Sequence, residues 1–224
     1  MVKVGVLGYG TVGSGVVEIL EKNKDIIAKR VGQEISVKAV LDLRDFPGDP
    51  VEKVLVHDFD IVANDPKSVC TSNKALVAAY GPELLALAEE KNINFLFEAS
   101  VGGGIPIIRP LKTSLAPDEI LEISGILNGT TNYILTEMTE KGSDFDSVLK
   151  DAQDKGYAEK DPTADVEGYD ACRKIAILTS LAYGKQLDFE DIYTEGITRI
   201  TDRDIAYAKK MGAKVKIFGS SKKV

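Results

Sequence analysis

The first 127 residues alternate between short apolar runs and stripes at helical spacing. Val2–Leu7 is a run of buried-strand type. Val12, Val16, Ile19 and Leu20 then recur at helical spacing, which predicts a helix with those four on its packed face. Further strands are predicted over Glu34–Leu43, over Asp58–Asp65 ("DFDIVAND") and over Val69–Thr71. Gly81-Pro82 predicts a helix from Pro82 to Glu90. "INFLFEAS" reads as another buried strand, leading into "VGGGIPIIRPL" and a helix opened near Pro106. A strand over Ile120–Leu127 runs into Asn128-Gly129-Thr130-Thr131, where Asn128 or Thr130 can cap the next helix. The strand–helix rhythm stops there, and a domain boundary is placed near residue 127. Asp165–Tyr183 reads as one helix between Pro162 and Gly184. It carries no charge from Ile175 to Tyr183, so that half is expected to be buried all round.

The first strand meets Gly8-Tyr9-Gly10-Thr11-Val12-Gly13, a GxGxxG turn with a strand before it and a helix after. Gly8 permits the tight turn, Gly10 lets backbone N–H groups approach a pyrophosphate, and Gly13 lets helix and strand pack closely. The helix N-terminus offers unpaired donors and a positive dipole end. Asp42 and Arg44 follow the second strand, where a ribose 2′ position is read. A carboxylate there favours NAD and an arginine NADP, so the choice stays open. Ser72 and Lys74 stand at a strand's carboxyl end, where open α/β sheets bind ligands. Lys74 is either near a cofactor or substrate anion, or a surface lysine opening a helix. Gly102-Gly103-Gly104 can bring main chain close to a ligand, or present carbonyls to a hard cation, or form a flexible turn.

Charge and composition narrow the class. The chain has 224 residues and a net charge of −7, which favours neither nucleic acid nor an anionic membrane. Two cysteines, Cys70 and Cys172, form no CxxC pair and point to a reducing compartment. There is no signal peptide and no apolar run near 18 residues, which predicts a cytoplasmic protein. One histidine, His57, stands in no cluster, which argues against zinc.

The charges before the apolar half-helix are the second candidate site. Asp170 and Lys174 are four apart, and their face continues into Ile177, Leu178 and Leu181. A pair on a buried stripe loses hydration, so it either orders the helix start or performs acid–base work. Glu159 and Asp161, in the preceding loop, could reach the same spot and suit a substrate ammonium group.

These residues carry a resemblance. "GYGTVGSGVV", "TSNKALVA", "FEASVGGGIPIIRPL", "LNGTTNYIL" and "GYAEKDPTADVEGYDACRKIAIL" resemble, in order along nearly the whole chain, the homoserine dehydrogenase family. The resemblance implies reversible oxidation of L-homoserine to L-aspartate 4-semialdehyde with NADP or NAD, on the route to threonine and methionine. It implies an α/β fold, with a Rossmann-type dinucleotide-binding domain over 1–127. An incomplete α+β substrate and dimerisation domain follows over 128–224, and the protein is expected to be a homodimer. By motif, Lys174 matches the proton-transferring lysine, with Asp170 holding it. Glu159, with Asp165 nearby, matches the carboxylate that binds the substrate amino group. Lys74 matches the lysine that contacts nicotinamide and substrate. Ser72 and the turn from Tyr9 to Val12 match cofactor contacts. Main-chain oxygens of Glu98, Val101, Gly103 and Ile105 match a site for a monovalent cation such as sodium.

The chain departs from the family in two ways. About one strand–helix unit is expected to be missing where Pro66 runs into Lys67, and the chain stops at "VKIFGSSKKV", inside the second domain. Both should leave unpaired strand edges. The rival reading is a non-catalytic dinucleotide-binding module or an inactive fragment of the enzyme. A semialdehyde dehydrogenase of the acid-forming type would want a nucleophilic cysteine at a strand end, and neither cysteine suits.

Overall fold

The computed structural model describes residues 1–63 and 68–223. The chain falls into two compact units, 1–67 and 68–224. The boundary expected near residue 127 lies within the second unit. The junction of Pro66 and Lys67, where a strand–helix unit is expected to be missing, lies outside the described residues.

In the first unit, β1 (Val2–Leu7) runs parallel to β2 (Ile35–Leu41), which runs parallel to β3 (Leu55–Val56). The order is β1-β2-β3, and β1 pairs with β2 alone among the described residues. The register slips once, between Val4 and Gly5. Helix α1 (Thr11–Lys22) and α2 (Lys24–Val31) connect the first two strands. Val6, Val17, Val40 and Val51 form the core.

Two expectations are corrected here. The packed row of α1 is Gly13, Val17 and Leu20, while Val12, Val16 and Ile19 are exposed at 63, 39 and 56%. The reason is the glycine turn: Gly13 lies so close to strand β1 that a Cβ there would sit 3.3 Å from Val6 Cγ1. That rotates the expected stripe away from the sheet. The third strand is β3, upstream of the predicted one. Asp60–Ala63 instead form a short helix, α3, whose start is held by the Asp58 carboxylate accepting from the Asp60 amide at 2.9 Å.

In the second unit, β4 (Val69–Cys70) pairs in parallel with β5 (Phe95–Leu96). Between them α4 (Lys74–Glu90) is one helix, not one beginning at Pro82. Asn73 starts it early, its side chain accepting from the Leu76 amide at 3.0 Å. Pro82 lies inside it, next to a buried Gly81. The strand expected over 93–100 is short because Ser100 turns the chain back, with its hydroxyl on the Phe97 carbonyl at 2.6 Å. A π-helical turn covers Pro110–Ser114.

Antiparallel strands β6 (Glu122–Gly125) and β7 (Gly219–Lys222) form a third sheet. Helices α5 (Gly129–Lys141) and α6 (Phe145–Asp154) follow β6. The helix expected over 165–183 is broken: α7 covers Thr163–Val166 and α8 covers Tyr169–Tyr183. The break is Gly168, at φ +84, where a Cβ would meet the Glu195 carbonyl oxygen at 3.0 Å. Opposite it, Gly196 packs so that a Cβ would lie 2.3 Å from the Val166 oxygen. Helix α9 (Asp202–Lys210) completes the second unit's helices. Residues of α8 from Ile175 to Thr179 are buried, but Ser180 to Tyr183 are only half-buried, so the burial expected of the whole uncharged run holds for its first part alone. Ile134, Leu135 and Met138 of α5 centre one core, and Ile177 and Leu178 of α8 join another with Val77, Phe97, Val101 and Ile108.

Candidate active site

Three elements of the second unit meet at Asp170. Lys74 is the first residue of α4, Asp170 lies in the first turn of α8, and Lys174 follows one turn later. Asn128 caps α5. Asp170 is 2% exposed. One of its oxygens accepts from Lys74. The other accepts from Lys174 at 2.7 Å and from Asn128 Nδ2 at 3.0 Å. Lys174 also donates to the Leu127 carbonyl at 2.9 Å. Burial alone would push the Asp170 carboxyl up, but the bonds from Lys174, Lys74 and Asn128 outweigh it and hold the group below its ordinary range. Asp170 is therefore a fixed negative charge with an ammonium on each side.

Asp165 joins the network through Asn128 Nδ2, at 2.7 Å from its Oδ1. Asp161 does not: its carboxylate turns to Thr163, accepting from the amide at 3.1 Å and the hydroxyl at 2.6 Å. Glu159 stands on the exposed loop, where its main-chain carbonyl accepts from Gln153 at 3.0 Å. Ser72 is exposed, just ahead of Lys74. By sequence Asn128 reads only as a cap. The signal for more was its place in "LNGTTNYIL", beside the Leu127 carbonyl that Lys174 reaches.

The first unit holds the glycine turn. Gly8 takes φ +91, and a Cβ at Gly13 would lie 1.9 Å from the Gly8 oxygen. Gly10 precedes α1 with no side-chain cap, and a Cβ there would meet nothing within 4 Å. Free amides above open space fit a pyrophosphate. Thr11 and Val12, the first residues of α1, are exposed beside it. The Tyr9 amide donates to Asp42 Oδ2 at 2.7 Å, and Arg44 clamps the same carboxylate through Nε and Nη2, each at 3.0 Å. These bonds, Arg44 first, hold the Asp42 carboxyl well below its ordinary range. Arg44 also lies over the Phe46 ring, 5.1 Å from its centroid. Gly8, Asp42, Arg44, His57 and Phe59 line a cleft of about 480 Å³ at the carboxyl ends of the strands.

The loop after β5 is built around Glu98. Its carboxylate accepts from the amides of Ile107, Ile108 and Arg109 at 2.5, 2.8 and 2.7 Å. Burial opposes ionisation, but the three amides prevail and lower the carboxyl's pKa. Gly103 takes φ +59, and Gly102 admits the Ile105 carbonyl, which would lie 2.4 Å from a Cβ at 102. Val101 is buried and Ile105 is 72% exposed.

Parallel strands joined through a glycine turn make this an α/β protein of Rossmann type. A family model described as homoserine dehydrogenase matches residues 106–224. The chain is 43% identical to the homoserine dehydrogenase of Neisseria gonorrhoeae over 250 residues, which cover 99% of this chain and 58% of that one. The crystal structure of a homoserine dehydrogenase from Thiobacillus denitrificans superposes with a TM-score of 0.89 at 40% identity, covering 100% of this chain and 58% of that one. A hyperthermophilic archaeal homoserine dehydrogenase in complex with NADPH superposes with a TM-score of 0.77 at 28% identity, covering 99% and 79%. The chain belongs to the homoserine dehydrogenase family. It spans 58% of the length of the Neisseria relative, and an alignment of 250 positions over 224 residues leaves at least 26 where that relative alone has a residue.

Proposed function

We propose that this chain is part of an NAD(P)-dependent oxidoreductase that interconverts L-homoserine and L-aspartate 4-semialdehyde in threonine and methionine biosynthesis. The observation that carries the reading is the buried Asp170 carboxylate held between Lys74 and Lys174, in a chain of this family.

In this reading residues 1–127 bind the dinucleotide and 128–224 bind the substrate. Gly8, Tyr9, Gly10, Thr11, Val12 and Gly13 contact the dinucleotide, with the start of α1 facing its pyrophosphate, and Asp42 with Arg44 reads the ribose. Ser72 and Lys74 contact the cofactor on the nicotinamide side. When bound, the nicotinamide supplies or takes the hydride. Glu159 and Asp165 hold the substrate ammonium group and so orient its side chain. In the reductive direction the Lys174 ammonium gives a proton to the carbonyl oxygen, as charge develops there. In the oxidative direction the lysine takes the hydroxyl proton back. Asp170 holds the two lysines at the reacting oxygen. A monovalent cation is placed on main-chain oxygens of Glu98, Val101, Gly103 and Ile105, a reading supported by the close approach that Gly102 allows. The protein acts on a small molecule, as a homodimer in the cytoplasm. The last is supported by Cys70 and Cys172 both being free.

One observation favours a second reading. β1 has a partner on one side only among the described residues, and the Neisseria relative has at least 26 positions that this chain lacks. As it stands the chain would then bind a dinucleotide without turnover. The two are separated by NAD(P)+ reduction at 340 nm with L-homoserine. The enzyme reading expects activity in the parent and its loss in Lys174→Ala while cofactor still binds. Cofactor binding without turnover supports the second reading, and restoring a strand–helix segment between Pro66 and Lys67 then tests whether activity returns.

A further inference from the structure

Asn128 has every hydrogen-bonding position filled. Its carbonyl accepts from the Thr131 amide at 2.8 Å and the Thr131 hydroxyl at 2.9 Å. Its amide nitrogen donates to Asp165 at 2.7 Å and to Asp170 at 3.0 Å. The side chain is buried, at 6% exposure. These partners leave one orientation. Turning the amide over would set its NH₂ against the Thr131 amide and its carbonyl oxygen against two carboxylates. The Thr131 side matters to capping alone, since an N-cap needs only an acceptor. The two donor bonds have no part in that. They spend both hydrogens of a buried amide on two acids that lie five residues apart and on separate helices.

We propose that Asn128 is a positioning residue for the reaction, holding Asp165 and Asp170 to one point so that the ammonium-binding acid and the lysine-holding acid keep a fixed spacing. The proposal rests on the dehydrogenase reading for its meaning, though not for its measurement. One primary amide does for two carboxylates what a lysine would do with net charge. It satisfies both without a third ammonium that would compete with Lys74 and Lys174 for Asp170. It also ties both acids to the start of α5, so that the cap and the site form together.

The test uses Asn128→Ser and Asn128→Asp in the whole chain. Both keep an N-cap acceptor for Thr131; the aspartate variant removes the donor facing the acids, and the serine variant leaves a single, shorter hydroxyl that cannot bond both. The first readout is the carboxyl ¹³C titration of Asp170, which needs no turnover. Its midpoint is expected to rise, by about half a pH unit or more in the serine variant and further in the aspartate variant, where a third carboxylate is added. Unchanged midpoints in folded variants would overturn the proposal. If both variants unfold, the parent decides. The Asn128 side-chain amide proton that faces Asp170 should have a shift that follows the titration of that acid, and a pH-independent shift would overturn the assignment. In a chain that turns over, Asn128→Ser should lower kcat about tenfold or more and raise KM for homoserine, with KM for the dinucleotide unchanged. A parent without homoserine-dependent turnover counts against the dehydrogenase reading and leaves the titration result standing.

Discussion

Asp170 and Lys174 stand one turn apart on α8 and meet at 2.7 Å, with 3 and 15% of their side chains exposed. An exposed pair at this spacing contributes only about 0.3–0.5 kcal/mol. The buried one is held because its carboxylate has a second ammonium and an amide as well. Asp170→Asn should therefore cost more in catalysis than in folding. We expect kcat to fall by about two orders of magnitude as Lys74 and Lys174 lose their common anchor. Dinucleotide affinity should change far less, because the glycine turn with Asp42 and Arg44 is untouched. Steady-state kinetics with a separate binding titration check both parts.

The glycine turn yields a second prediction. A Cβ at Gly13 would lie 1.9 Å from the Gly8 oxygen and 2.9 Å from its carbon, both backbone atoms that no rotamer can move. Gly13→Ala should weaken dinucleotide binding by about tenfold or more, read by quenching or enhancement of nicotinamide fluorescence.

Arg44 grips Asp42 in the resting turn, with 63% of its own side chain exposed. A 2′-phosphate would offer Arg44 a doubly charged partner in place of Asp42. Arg44→Ala should raise Kd for NADP about tenfold and change that for NAD far less. Equal changes for both would remove Arg44 from the ribose site.

Acid sensitivity has a definite sign at Glu98. Its folded-state pKa lies below the ordinary 4.5, because the amides of Ile107, Arg109 and Ile108 outweigh the cost of its burial. Its stabilising contribution is thus complete above about pH 4.5 and fades as pH falls through the lower folded value. Glu98→Gln should destabilise the chain by a constant amount at neutral pH. The gap from the parent should close below that range. Urea unfolding at a series of pH values would show it.

Gly168 adopts φ +84 against the Glu195 carbonyl, and Gly196 leaves 2.3 Å for a Cβ against Val166. Gly168→Ala should cost about 1–3 kcal/mol, and Gly196→Ala no less. Thermal unfolding of both variants provides the measure, with lowered midpoints expected for each.

What was legible in the sequence was what local physics decides alone. The GxGxxG turn announced itself by spacing, and the buried stretch from Ile175 to Thr179 by the absence of anything to solvate. The misread elements were those where a distant partner chooses. The face of α1 was set by the fit of Gly13 onto β1, which moved burial from Val12 and Val16 to Val17. Asn73 began α4 well before Gly81-Pro82, because a cap outranked a proline in setting the start. At the site, Asp170 and Lys174 share a helix and their pairing follows from periodicity. Lys74 and Asn128 come from sequence positions 96 and 42 residues away, and only the fold brings them in. Asp161 looked equally available, but the shorter reach to Thr163 captured it.

The joint at Gly168 decides where two acids point. In an unbroken helix, residues five apart are turned about 140° from each other around the axis and separated by about 7.5 Å along it. Asp165 and Asp170 would then look out on different sides, beyond the span of any single side chain. With the left-handed joint between them, both come within 3.0 Å of one amide nitrogen. Their convergence is thus a property of backbone handedness at one position, and no choice of side chain at 165 or 170 could replace it.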